Sequence, residues 1–187
     1  MSGDIGAHSH MLLDACCVLN LYATGRMDRI LRALPWRIAV ADRVAGEALY
    51  LRRGGGGEDT DERDPVDLGP LIAQGLIEVL QLENEDEAAS FVGFAAQLDD
   101  GQAMTCALAL HRGGVVGTDD RKARRICGLQ VPPLAIRSTP TMLKIWVDNE
   151  QIADAELRQS LVTIRERARF VPGRHEPLQA WWVAALR

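Results

Sequence analysis

The sequence predicts an α/β fold built on a parallel sheet covered by helices on both faces. Three observations predict it. Short apolar runs recur along the chain, each is followed by a segment with apolar residues three or four apart, and the runs read as continuously apolar rather than alternating. With 187 residues, 47% of them hydrophobic and 25% charged, the chain is long enough for one domain with a substantial core and some appended structure.

The expected strands are taken in order. "HMLLD" (His10 to Asp14), "RIAV" (Arg37 to Val40), "LIEVLQL" (Leu76 to Leu82) and "GVVGT" (Gly114 to Thr118) are short, apolar and bounded by helical patterns. A fifth, "PPLAI" (Pro132 to Ile136), contains prolines and therefore suits a sheet edge. The intervening helices are expected over "AGEALYLRR", "EDEAASFVGFAAQL", "GQAMTCALALHR" and "DRKARRICGL". "GGGGEDTDERDPVD" (Gly54 to Asp67) is glycine followed mostly by acid, cannot bury a core, and is expected to be a mobile loop. Residues 1–9 read as a flexible leader, 10–138 as the domain, and 139–187 as two or three helices packed on it.

Composition narrows function. No apolar run approaches the roughly 20 residues that span a bilayer, and "MSGDIGAHSH" lacks the basic start and apolar core of a secretory signal. A cytoplasmic protein with no membrane partner is expected. Cys16, Cys17, Cys106 and Cys127 form no C-x-x-C pair and read as small buried hydrophobes. His8 and His10 read as part of the leader. The net charge of −5 argues against a protein that coats nucleic acid by charge alone, but is compatible with an enzyme carrying a local basic patch beside an acidic centre.

In open parallel sheets, ligands bind beyond the carboxyl ends of the strands. Asp14 ends the first expected strand, and Asp119 and Asp120 end the fourth. Glu47 lies after the second strand, and Asp99 and Asp100 precede "GQAMTCALAL". Converging carboxylates raise one another's pKa unless a cation lies between them. An all-oxygen donor set favours Mg²⁺ or Mn²⁺ over Zn²⁺, and the matching chemistry is phosphodiester hydrolysis. Acids at strand ends also serve as helix N-caps, which accounts for some of these positions without any metal.

Four blocks in order carry a resemblance. "LLDACCVLNLYATGRMDRIL" has a strand-ending Asp followed by an apolar turn with an Asn. "IAVADRVAGEAL" holds Val44 and Glu47 in a V-x-x-E arrangement. "LDDGQAMTCALALHRGG" is similar to L-x-x-G-E-A-x-x-x-A-L-A, and "VVGTDDRKARRI" to a strand followed by T-D-D-x-x-A-R. Across Met11 to Ile136 these blocks resemble the PIN-domain family of ribonucleases, which includes VapC-like toxins of toxin–antitoxin pairs. The resemblance implies a three-layer α/β/α domain that binds Mg²⁺ or Mn²⁺ and cuts single-stranded RNA. Carried over by position, it implies Asp14 and Asp119 as metal ligands and Glu47 as a further catalytic acid, with Asp100 the expected third ligand and catalytic acid in place of the family's usual one. It implies Asn20, Gln102 and Thr118 as supporting residues, RNA as substrate, an antitoxin protein as partner, and pairing as a homodimer. Asp120 fits better as a first-turn acid of the following helix. Two positions depart from the family pattern. Gln102 stands where an acid is usual, with Asp100 the expected substitute and Asp99 the less expected one. Cys16 stands where a hydroxyl residue is frequent, and a thiol is a poorer hydrogen-bond partner.

Arg121, Lys122, Arg124 and Arg125 follow the acid pair and are the expected RNA contacts, although the same residues suit a solvated helix face with Ala123 and Ile126 turned inward. Arg26, Arg29 and Arg32 form a second ridge expected to be solvated. Trp181 and Trp182 point in different directions on a helix, so one closes the core while the other is left for packing or a partner. Two further functional readings stand beside the nuclease: a non-catalytic scaffold marked by Gln102, and a small-molecule phosphatase. The latter is disfavoured because Asp14 has no second Asp two residues on.

Overall fold

The structure is a computed structural model that describes residues 9–47, 49–53 and 62–187. Its centre is a parallel sheet of five strands: β1 (His10–Leu13), β2 (Arg37–Ala41), β5 (Glu78–Leu80), β6 (Val115–Gly117) and β7 (Ala135–Arg137), in the order β5-β2-β1-β6-β7. Helices cover it to give a three-layer α/β/α domain, as predicted. Met11, Leu12 and Leu13 of β1 are fully buried, which is the reason this strand reads as an unbroken apolar run: both its faces are under helices. Burying one such leucine stabilises the fold by about 1.5–3 kcal/mol. β7 lies at the edge, the position expected for it, although Pro132 and Pro133 precede the strand and take no part in its ladder.

The chain builds β1, β2 and β5 outward on one side, then crosses back to lay β6 against β1. The strand order reverses between β1 and β6, and the crevice beyond the carboxyl ends of such a pair is where open α/β sheets place ligands. Close packing there depends on Gly117. A Cβ at this position would come 2.6 Å from Leu13 Cδ2 on the neighbouring strand.

The helices are α1 (Ala15–Ala23), α2 (Met27–Ala33), α3 (Asp42–Gly46), α4 (Gly69–Ala73), α5 (Glu85–Ala95), α6 (Asp100–Arg112), α7 (Arg121–Gly128), α8 (Thr139–Glu150), α9 (Asp154–Thr163) and α10 (Gln179–Ala185). A π-helical turn, Ile164–Ala168, continues α9. In α7, Ala123, Ile126 and Cys127 face inward while Arg121, Lys122 and Arg125 are exposed. Cys106 on α6 and Cys127 on α7 are buried with their sulfurs 3.2 Å apart.

Two expectations are corrected. The helix expected over "AGEALYLRR" stops at Gly46, and Tyr50–Arg52 forms a strand, β3, paired antiparallel with β4 (Arg63–Pro65). Leu51 is fully buried, so one anchoring side chain sets this ribbon against the domain and overrides the helical spacing. Of the expected loop 54–67, residues 54–61 lie outside the described residues, and its far end is β4 rather than loop. Residues 1–8 of the expected leader, His8 included, also lie outside. His10 begins β1, and its Nε2 is 2.9 Å from Glu78 Oε2.

The C-terminal helices bury apolar side chains against the rest of the fold. Met142, Leu143 and Trp146 of α8 are fully buried, as is Trp182 of α10, whereas Trp181 is only partly buried. The ridge on α2 is not simply solvated. Arg26 and Arg29 donate to Glu156 at 2.7 and 2.6 Å, and Arg29 also donates to Glu150 at 2.9 Å, clamping α2 to α8 and α9.

Candidate metal centre

Asp14 follows the last residue of β1 and is the N-cap of α1. Its Oδ1 accepts from the Cys17 backbone N–H at 3.0 Å and from the Cys16 thiol at 2.8 Å. Capping therefore accounts for one oxygen. Oδ2 accepts from the Thr118 hydroxyl, which reaches across from the end of β6. Asp14 is 1% exposed. Burial pushes its carboxyl up to about 6, and the neighbouring Asp119 adds to the shift, against the pull of the hydrogen bonds from Cys16, Thr118 and Cys17.

Asp119 and Asp120 part company. Asp120 is the N-cap of α7, accepting from Ala123 N–H at 2.7 Å. This fits its expected helix role, one position before the first turn. Asp119 turns inward. Its Oδ2 accepts from Asn20 Nδ2 at 2.9 Å and from the Thr139 hydroxyl at 2.5 Å, and its Oδ1 accepts from the Thr139 N–H at 3.0 Å. Burial raises its pKa although all these donors lower it. Two carboxylates from adjacent strand ends are thus held near one another, Asp14 buried and Asp119 partly so, both less acidic than in water, which is the electrostatic condition a cation relieves.

The donor set bears on which cation. Asp14, Cys16 and Cys17 bring one oxygen and two sulfurs within 4.8 Å of one another, softer than a set for Mg²⁺ alone. The thiols, however, stay protonated. A hydrogen bond with Cys17 pulls the Cys16 thiol down, but burial and both carboxylates push it up on balance. Burial, with Cys16 and Asp119, holds that of Cys17 well above its ordinary range. Protonated thiols orient carboxylates rather than ligate. Cys16 does so from both sides, donating to Asp14 and accepting from Asp119 N–H at 3.3 Å. A carboxylate offers about four lone-pair sites. The contacts above leave one on Asp14 Oδ2 and one on Asp119 Oδ1 for a hard divalent cation.

The remaining acids form a second group at the start of α6. Glu47 is exposed, and burial followed by the charge of Asp99 raises its pKa. Its Oε1 occupies the space that a Cβ on Gly101 would fill. Asp99 caps α6 through Gln102 N–H at 2.8 Å. Asp99 is the acid whose charge acts on Glu47. Asp100 is exposed in the first turn and makes no side-chain hydrogen bond or ion pair among the described residues. The thiol of Cys106 feels both Asp14 and Asp99, so the two acid groups lie within electrostatic reach of one buried point. Gln102 is partly buried.

Of the expected RNA contacts, Arg121, Lys122 and Arg125 are exposed, but Arg124 donates to Glu176 Oε2 at 2.8 Å and is tied to the C-terminal segment. Sequence reasoning missed Thr139, which supplies two of the hydrogen bonds on Asp119, gave Cys17 only a packing role, and took Cys16 for a poor hydrogen-bond partner where it contacts both acids. The expected boundary at residue 138 divides this site. "STPT" ahead of an apolar run was a legible helix start, yet nothing in its spacing places it beside Asp119.

No family model matches the chain, and searches of curated proteins and of solved structures found no match either.

Proposed function

We propose that this protein is a divalent-metal-dependent ribonuclease of PIN type, with Asp14 and Asp119 holding Mg²⁺ or Mn²⁺. The observation that carries this reading is the pair itself, a buried Asp14 beside a partly buried Asp119. Two carboxylates from the β1 and β6 ends meet at the reversal of strand order, with pKa values raised at a cost to the fold. Capping of α1 explains one oxygen of Asp14, but not why a second carboxylate is held beside it at a cost to stability, a pattern characteristic of functional sites. A divalent ion there supplies Lewis acidity, acidifying water and neutralising charge at a phosphate. The chain's own residues do the rest. Thr118, Asn20 and Thr139 fix the carboxylates, Cys16 bridges them, and Glu47 with Asp99 offers an exposed acid pair for orienting water or taking a proton. Arg121, Lys122 and Arg125 present positive charge to an RNA backbone. A toxin role with a separate antitoxin chain, and pairing as a homodimer, extend the same reading.

The test is cleavage of a mixed single-stranded RNA pool in Mn²⁺ or Mg²⁺, with EDTA, Asp14→Asn and Asp119→Asn as controls. Metal-dependent cutting lost in both variants is expected; full activity in either removes its residue from the site. A second reading, a non-catalytic scaffold binding RNA or protein, is favoured by one observation. Most acceptor sites on the two carboxylates are already taken by protein donors. It predicts no heat of Mn²⁺ binding by calorimetry, whether RNA is present or not.

A further inference from the structure

A cleft of about 570 Å³ opens beside Asp119. Its size falls in the range of about 300–1,000 Å³ typical of small-ligand sites. One wall is the start of α7. The other is the segment 170–176, from the C-terminal extension that lies outside the motif blocks. This segment is fastened at three points. Glu176, buried, accepts from Arg124 Nη1 at 2.8 Å and from Ser138 Oγ at 3.0 Å. Phe170 meets the ring of buried Trp182 edge-on, with centroids 5.7 Å apart. Pro172 is buried.

What the two walls present is a set of polar and cationic side chains without protein partners. Arg121 from α7, and Arg174 and His175 from the segment, line the cleft and are exposed. None of the three has an ion pair or side-chain hydrogen bond among the described residues. Arg124, by contrast, has its guanidinium committed to Glu176. In a chain of net charge −5, two arginines without a protein anion, held on fixed walls around an acid, form a local positive field that an anion completes. Planar guanidinium groups suit phosphate oxygens in particular.

We infer that the segment 170–176 is the second wall of the substrate groove, where Arg174 and His175 together with Arg121 grip phosphates of single-stranded RNA beside Asp119. This rests on the nuclease reading, and names where that reading's substrate lies. Arg124 is then a strut that positions the wall, not a contact.

The experiment compares wild type with the double variant Arg174→Gln/His175→Gln, using a fluorescent single-stranded oligoribonucleotide. Affinity is measured by anisotropy in EDTA across a salt series, and cleavage in Mn²⁺. Both side chains are exposed and unpartnered, so the variant keeps its fold, checked by circular dichroism and melting. Affinity should fall about tenfold and the slope of log K against log salt by about 1, since each phosphate contact on a single strand contributes about 0.7. Arg158→Gln, an exposed cation on α9 outside the cleft, should change neither. Wild-type binding and cleavage with an unaltered double variant overturns the inference and leaves the nuclease reading standing. A wild type that neither binds nor cuts overturns both.

Discussion

Replacing Asp14 by Asn should stabilise the metal-free protein at neutral pH, a direction opposite to that of most changes at fully buried positions. The carboxyl titrates near 6 in the fold against an ordinary value of 3.8. Between those values the native state keeps a proton that the unfolded chain has lost, so stability falls as pH rises, and above pH 6 the whole cost is present. A shift of roughly two units at about 1.4 kcal/mol each makes that cost about 3 kcal/mol at pH 7, and about 1 kcal/mol at pH 4.5. Asn keeps an oxygen for the Cys16 thiol and Cys17 N–H but puts an amide where Oδ2 was. The Thr118 hydroxyl, which already accepts from Asp120 N–H at 3.1 Å, must then stop donating, a loss of about 1 kcal/mol. The variant should therefore match wild type near pH 4.5 and exceed it by about 2 kcal/mol at pH 7, or about 4–8 °C in melting temperature for a chain of this length. The assay is thermal and urea unfolding in EDTA from pH 4.5 to 7.5. The raised carboxyl of Glu47 tilts both proteins the same way, so the difference between the two curves reports Asp14 together with its mutual repulsion with Asp119. Added Mn²⁺ at about 100 times its dissociation constant should return about 2.7 kcal/mol to wild type and little to the variant. A variant less stable than wild type at pH 7, or a gap that does not change with pH, would refute the account of Asp14 as a buried, strained carboxylate.

Thr139→Val keeps the shape but removes the hydroxyl from Asp119, and should cost about 1–3 kcal/mol in urea unfolding and weaken Mn²⁺ binding by calorimetry. Glu176→Gln breaks the pairing that ties Arg124 to the segment 170–176; hydrogen exchange should quicken there and stay unchanged in β1. Gly101→Ala sets a methyl where Glu47 Oε1 lies and 3.2 Å from Val44 Cγ2. The acid is the free end of an exposed side chain and moves readily, so stability should change by less than about 1 kcal/mol. RNA cleavage should drop if Glu47 serves it, and an unchanged rate would remove Glu47 from the chemistry. Trp182→Ala, at a fully buried ring whose edge holds Phe170, should cost about 3–5 kcal/mol in unfolding.

The layer order was legible because burial writes itself locally. "MLL" and "VVG" are apolar throughout since their strands are covered on both faces, and the edge position expected of "PPLAI" is the one β7 takes. The ribbon of β3 and β4 was not legible. "ALYLRR" satisfies a helical spacing, and its strand pairing is with residues beyond Gly54–Asp61, a partner no local window contains. The same division runs through the candidate site. Asp14 and Asp119 could be placed because each ends an apolar run, and strand ends of a parallel sheet share one edge. Gln102, read as a missing acid, donates its backbone N–H to Asp99, a capping role of Asp99 that spacing alone does not express.

Thr139 shows the limit most sharply. Its two hydrogen bonds to Asp119 and its contact with Asn20 join residues 20 and 119 positions away in sequence, and they exist only because β7 returns the chain beside β6 before α8 begins. A helix start reads as a helix start whether it faces solvent or a carboxylate. What decides its role is the register Gly117↔Arg137, in which Thr118 N–H bonds to Arg137 O at 3.0 Å and brings the start of α8 against the end of β6. The acids of this site lie inside recognisable blocks, but two of the hydrogen bonds that hold Asp119, both from Thr139, come from the C-terminal extension. That extension also supplies the wall across from α7. Removing it from Thr139 onward should therefore destroy the site as well as destabilise the core, although every motif block would remain intact.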